Sequence, residues 1–163
     1  MATAQKNLSE FNSSDLPDAS GLKIGLVVSQ WNSEITHGLA QGAIETLTRC
    51  GVPQNQILQW AVPGSFELVY GCQKMMSTAQ DLDAIIAIGS VVEGETKHFD
   101  FVCSGVTQGI KDLNLMGIIP VIFCVLTDHN MEQARARSGG KHGNKGVEAA
   151  VAAIQMAVLG AKK

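Results

Sequence analysis

The run Ala84-Ile85-Ile86-Ala87-Ile88-Gly89-Ser90-Val91-Val92 is apolar and rich in β-branched side chains, with no alternation of polar residues. A strand of that composition is buried on both faces, which requires a sheet covered by helices on each side. Directly after it, Glu93-Gly94-Glu95 supplies a glycine-bearing turn, and the mixed segment from about Thr96 to Leu115 reads as a helix. Strand, turn and helix in that order make half of a βαβ unit. The helix start leaves backbone N–H groups unpaired and carries the positive end of the dipole, so it favours an anion. Gly94 lets backbone approach a ligand closely, and Thr96 adds a hydroxyl. His98, read as one turn in, is the side chain here whose free pKa suits proton transfer near neutral pH. Taken alone the stretch says little about function, since a Gly turn before a helix is ordinarily only a turn.

The rest of the chain repeats the pattern. Lys23 to Ser29 reads as a first strand, and the turn Gln30-Trp31-Asn32-Ser33 follows, with Asn32 or Ser33 placed to cap a helix from Glu34. That helix puts Ile35, Leu39, Ala43, Ile44 and Leu47 on one face and stops at Gly51-Val52-Pro53. A second strand, Gln56 to Val62, ends at Pro63-Gly64, and Ser65-Phe66-Glu67 opens a helix to about Met76. The last strand is Ile119 to Leu126; Asn130-x-x-Gln133 resembles a capping box for a short helix ending near Arg137. Ser138-Gly139-Gly140 breaks it, and Gly143-Asn144-Lys145-Gly146 leads into an Ala-rich helix through Leu159. Four strands alternating with helices predict an α/β three-layer sandwich around a four-stranded parallel sheet, with right-handed crossovers. Residues 21–163 read as one domain. Residues 1–20, polar with one Phe11, read as an arm that stays unordered unless a neighbour ties it down, for instance by taking it as an added strand.

Composition excludes several classes. A net charge of −3 offers no broad basic face to nucleic acid or an anionic membrane. Cys50, Cys72, Cys103 and Cys124 are scattered inside apolar elements, without Cys-x-x-Cys spacing, so buried reduced thiols are expected rather than metal or disulfide chemistry. The first eighteen residues lack the apolar core of a signal peptide, and no apolar run is long enough for a bilayer. The expectation is a soluble cytoplasmic protein that contacts neither nucleic acid nor membrane and binds no metal.

In parallel sheets of this kind ligands gather outside the carboxyl ends of the strands. There lie the oddest residues: Trp31 and Asn32, then Ser65, Phe66 and Glu67, then the segment from Gly94 to His98. Trp31 has little packing reason to sit in a turn and could stack on a flat heterocycle, or equally cover the sheet edge. Glu67 in a first helical turn is favoured by the dipole in any case. Arg137 and Lys141 flank a double-Gly break, and Lys145 and Glu148 stand three apart. Solvation explains most such clusters, yet a guanidinium beside glycines is a good phosphate clamp. His37, His129 and His142 show no partner pattern and read as surface residues.

Those segments together resemble the lumazine synthase family. The resemblance rests on Trp31-Asn32, on Val62-Pro63-Gly64-Ser65-Phe66-Glu67-Leu68, on Gly94-Glu95-Thr96-Lys97-His98-Phe99-Asp100, on Pro120-Val121-Ile122-Phe123 with Leu126-Thr127, and on Arg137 through Glu148. They span Leu22 to about Met156 in the family's order and spacing. The resemblance implies a flavodoxin-like fold and a cofactor-independent transferase of riboflavin biosynthesis. Its reaction would condense 5-amino-6-ribitylaminouracil with 3,4-dihydroxy-2-butanone 4-phosphate, giving 6,7-dimethyl-8-ribityllumazine, phosphate and water. It further implies homopentamers whose sites lie between subunits, assembled into icosahedral shells where no insertion separates the last two helices, and it leaves room for association with riboflavin synthase.

By the same resemblance, Trp31 stacks on the pyrimidine, where many members carry Phe. Asn32 and Glu67 hold the ribityl hydroxyls, with Ser65 and Phe66 shaping that pocket, and Val91 and Val92 offer backbone to the heterocycle edge. Gly94, Glu95 and Thr96 form the phosphate-binding helix start, Arg137 supplies the phosphate guanidinium, and His98 transfers protons. Phe123 is an aromatic contributed from a neighbouring subunit, and Lys145 with Glu148 is a supporting ion pair. Glu93 departs from the pattern, standing where many members carry a basic or neutral residue. A non-catalytic flavin-binding module would use the same Trp, Glu and Gly-rich turn but would not need His98 or Arg137, and a purely structural shell protein would need none of them.

Overall fold

A computed structural model describes residues 7, 9–79 and 81–161. The chain alternates β1 (Ile24–Ser29), α1 (Ser33–Arg49), β2 (Ile57–Val62), α2 (Leu68–Thr78), β3 (Ala84–Val92), α3 (His98–Leu115) and β4 (Val121–Asp128). It continues through α4 (Met131–Arg137), the short strands β5 (Ser138–Gly140) and β6 (Gly143–Asn144), and α5 (Lys145–Ala161). Among the described residues the main sheet has the order β2-β1-β3-β4 with every pair parallel, so this is the expected three-layer α/β sandwich.

The two-sided burial expected of residues 84–92 follows from the pleat. Ile86 and Ile88 point into a core with Ile35, Leu39 and Leu47 of α1 and Ile154 of α5. Ile85 and Ala87 point the other way, onto Leu68 and Met75 of α2 and Val106 and Ile110 of α3. Ile86 is wholly buried. Ile86→Ala is therefore expected to lower unfolding stability by about 2–5 kcal/mol. Denaturant unfolding checks this, and an unchanged midpoint would count against a central position for β3.

Element boundaries depart from the sequence reading in ways that move functional residues. Ser65 and Phe66 belong to a turn closed by Leu68 N–H donating to the Ser65 carbonyl at 3.3 Å, and α2 starts only at Leu68, with Glu67 at its N-cap. Likewise α3 starts at His98 rather than Thr96, so His98 is its first residue and not one turn in. Asn32 occupies the N-cap position of α1 in a left-handed conformation, φ 55° and ψ 47°, but its side chain does not cap the helix. Asn130 does cap α4, accepting from the Gln133 N–H at 3.0 Å, while the Gln133 side chain reaches back to the N–H of His129 rather than to Asn130.

The expected break after Arg137 is a tight antiparallel hairpin, Ser138 opposite Asn144 and Gly140 opposite Gly143. Positive φ at Gly139 (122°) and Gly143 (81°) explains why glycines stand there. Cys72 and Cys124 are buried, and burial pushes both thiols up to about 12; Cys50 and Cys103, also expected to be buried, are only half-buried. All four are free thiols.

Of the arm, residues 1–6 and 8 lie outside the described residues. The following stretch lies on the chain's own body. Ala19 is buried and Leu16 packs on the α1/α5 core. The Arg49 guanidinium sits 4.4 Å from the Phe11 ring centre, and the Asn144 N–H donates to Ser9 Oγ at 3.1 Å.

Candidate active site

Parallel strands bring three βα turns to one edge of the sheet, and hydrogen bonds fix them to each other. The β1/β2 ladder runs on past the strands, with Gln30 N–H donating to the Val62 carbonyl at 2.8 Å and Trp31 N–H to the Pro63 carbonyl at 3.1 Å. Asn32 Nδ2 donates to the Ser90 carbonyl at 3.1 Å, and Ser65 Oγ donates to the same oxygen at 3.5 Å. One carbonyl at the end of β3 thus gathers side chains from the turns after β1 and β2. This use of Asn32 explains why it leaves the α1 N-cap role unfilled.

Above that junction lies a cavity of about 700 Å³ lined by Trp31, Ser65, Phe66, Glu67, Val91, Val92, Gly94, Thr96 and His98, together with Pro63, Gly64, Ser90 and the α3 residues Phe99, Phe101 and Val102. Trp31, Phe66 and Phe101 are 71%, 57% and 73% exposed, so this single chain presents aromatic faces to a half-open hollow. Phe66 has a seat on α3: a Cβ at Gly105 would come within 2.6 Å of its ring, so only glycine admits the ring there. At the polar end, Thr96 Oγ1 accepts from the His98 N–H at 3.4 Å. His98 is exposed at the start of α3, beside the free turn at Gly94. An aromatic plate, an acidic side chain and an exposed imidazole next to a helix start can hold a flat, hydroxylated molecule beside an anion and move protons between them.

Other expected residues lie elsewhere. Asn32 is not among the lining residues but donates to the carbonyl of Ser90, which is, and Glu95 is exposed at the neighbouring turn without lining the cavity. Phe123, Arg137 and Lys145 line a different hollow, about 820 Å³, between the end of β4, α4 and the β5–β6 hairpin, together with Asp128, Glu132, Lys141 and His142. Lys145 Nζ pairs with Glu148 Oε1 at 2.7 Å, the expected ion pair.

Three residues were not read as functional from the sequence. Ser90 and Gly105 gave only a strand serine and one glycine of a Gly105/Gly109 helical pair. His129, read as a plain surface residue, contacts Glu93 through its ring Nδ1. Only the topology, which sets the end of β3 beside the end of β4, brings these two together. Behind them, burial pushes the Asp128 carboxyl up, with Arg137 and His129 pulling the other way.

Comparison with known proteins gives a single answer. A family model described as 6,7-dimethyl-8-ribityllumazine synthase matches residues 21–160. A protein of that name from Christiangramia forsetii is 62% identical over 159 residues, covering 98% of this chain and 95% of the relative. One from Flavobacterium johnsoniae is also 62% identical, over 98% of this chain and 83% of the relative. One from Parabacteroides distasonis is 54% identical over 96% of this chain and 97% of the relative.

Proposed function

The chain belongs to the 6,7-dimethyl-8-ribityllumazine synthase family, and from that premise we propose how its residues perform the reaction. It is a transferase of riboflavin biosynthesis, condensing 5-amino-6-ribitylaminouracil with 3,4-dihydroxy-2-butanone 4-phosphate. The observation that carries the assignment of roles is the cavity joining Trp31, Phe66 and Glu67 to Gly94, Thr96 and His98.

In our reading the pyrimidine stacks on Trp31, its edge against the backbone of Val91 and Val92. Its ribityl hydroxyls donate to Glu67 and meet Asn32, while Ser65 and Phe66 shape that end. The ketone's phosphate lies at the turn of Gly94, Glu95 and Thr96. The pyrimidine amine adds to the ketone and water leaves; phosphate is then eliminated and the ring closes with a second loss of water. Each step moves protons, and His98 is placed to carry them, while holding both substrates in one cavity removes much of the entropic barrier.

Arg137 and Phe123 complete the site from a neighbouring copy of the chain. The support is that they line a separate hollow carrying Arg137, Lys141 and Lys145 beside Asp128 and Glu132, while the first cavity stands half-open with exposed aromatic rings. Such a head-to-tail contact closes into a ring, here a pentamer. The short hairpin joining α4 to α5 leaves no insertion, which supports assembly of pentamers into an icosahedral shell with room for riboflavin synthase. Four free thiols, and no helix among the described residues long and apolar enough to cross a membrane, support a cytoplasmic location. The test is to mix the purified protein with both substrates, follow lumazine fluorescence, and size the protein by light scattering. Product from a shell-sized particle is expected; no product would overturn the assignment of roles, and isolated pentamers would overturn the shell.

A further inference from the structure

The seat assigned to phosphate carries an apparent contradiction, because Glu93 stands directly before Gly94 and a carboxylate there repels an anion. The structure supplies a counter-charge. His129 Nδ1 contacts Glu93 Oε2, joining the end of β3 to the loop after β4. The backbone reinforces the join, since Glu93 N–H donates to the Asp128 carbonyl at 2.9 Å. The loop carrying His129 is itself held, its N–H donating to the Gln133 side chain of α4 at 3.0 Å.

Among the described residues, Glu93 and Asp128 are the charged groups that act on this imidazole. Glu93 faces it from the residue just past β3, and Asp128, its chain neighbour at the end of β4, is 7% exposed, its Oδ2 without a hydrogen-bond partner among the described residues. Arg137 of α4 acts on Asp128. Near the seat, the Lys97 ammonium lies 3.8 Å from Asp100. Among the described residues, the ion pair recorded for Glu93 is the one with His129.

We propose that His129 is a specificity-determining residue of this enzyme: its imidazolium cancels the charge of Glu93 and so keeps the adjoining turn at residues 94–96 receptive to the phosphorylated substrate. This rests on the assignment of phosphate to that turn made above. Hydrogen bonding to Glu93, the charge of Glu93 and the charge of Asp128 all raise the imidazole above its ordinary 6.5. A raised basic group keeps its proton, and the pair its neutrality, below that value. Both are lost as pH climbs through the raised folded value, so phosphate affinity falls on the alkaline side.

Merely bracing two loops would make the two partners equivalent: removing either would have the same effect. The charge reading predicts effects of opposite sign. His129→Asn should raise KM for the phosphorylated ketone about three- to tenfold while leaving KM for the pyrimidine unchanged, because only one substrate carries the charge. Glu93→Gln should lower that KM and flatten its alkaline rise relative to wild type. The double variant should match Glu93→Gln alone, since no carboxylate remains to be neutralised. Inorganic phosphate, used as a competing inhibitor, should follow the same order, with smaller differences in high salt. Shifts of the same sign in both single variants, or equal effects on both substrates, would overturn the proposal while leaving the assignment of roles standing. A wild-type protein that makes no lumazine would overturn both.

Discussion

His98→Ala is expected to slow turnover by about 10²–10⁴ at saturating substrates, the range typical of losing a general acid or base. KM for either substrate should change little, because the proposed stacking on Trp31 and the proposed anion seat at residues 94–96 do not involve the imidazole. His98 is the exposed first residue of α3 and supports no part of either core, so thermal stability should be kept. His98→Gln keeps a hydrogen-bonding side chain but cannot titrate near neutral pH, and it should lose as much. Stopped turnover with both substrates in excess checks this, read beside the melting temperature. Turnover within a fewfold of wild type would remove His98 from proton transfer and leave the site to work by proximity alone.

The fold was legible because one stretch over-determines it. Nine consecutive residues without polar alternation at 84–92 demand cover on both faces, and each remaining strand is followed by a polar or glycine- and proline-bearing turn and then a helix. That side chains at the strand ends come together was legible too: Trp31, Phe66, Glu67, Thr96 and His98 do line one cavity. What the sequence could not convey is contact between distant turns. The Ser90 carbonyl gathers Asn32 and Ser65 only because β1 and β2 lie on the same side of β3 in the order β2-β1-β3-β4. The Glu93–His129 contact, 36 residues apart, is of the same kind. Helix starts were misplaced because Ser65, Phe66 and Thr96 can all begin a helix by propensity. The turn hydrogen bond at Leu68 and the acceptor role of Thr96 Oγ1 set the actual starts two or three residues later.

Mixed assemblies of two inactive variants are expected to recover activity that neither has alone. Arg137→Ala should lose about 10²–10³ as a missing charge-stabilising donor would, falling mainly on the phosphorylated ketone, with Arg137→Lys recovering only part because it lacks the planar fork. In one chain Arg137 lines a different hollow from His98. If a neighbouring chain brings the Arg137 hollow to the His98 cavity, every site draws its imidazole from one copy and its guanidinium from the next. Dissociating His98→Ala and Arg137→Ala assemblies, mixing them in equal amounts and reassembling them then pairs intact sides by chance. Each side is intact in half of the cases, so about a quarter of the sites should be whole, a consequence of head-to-tail closure. Against parents reduced by two orders of magnitude or more, that recovery is large and needs no precise stoichiometry to detect. Mixing without dissociation should give none, which separates reassembly from simple addition of residual activities. A reassembled mixture no more active than its parents would mean that His98 and Arg137 act within one chain, and the neighbour would then contribute nothing to the site that these two residues report.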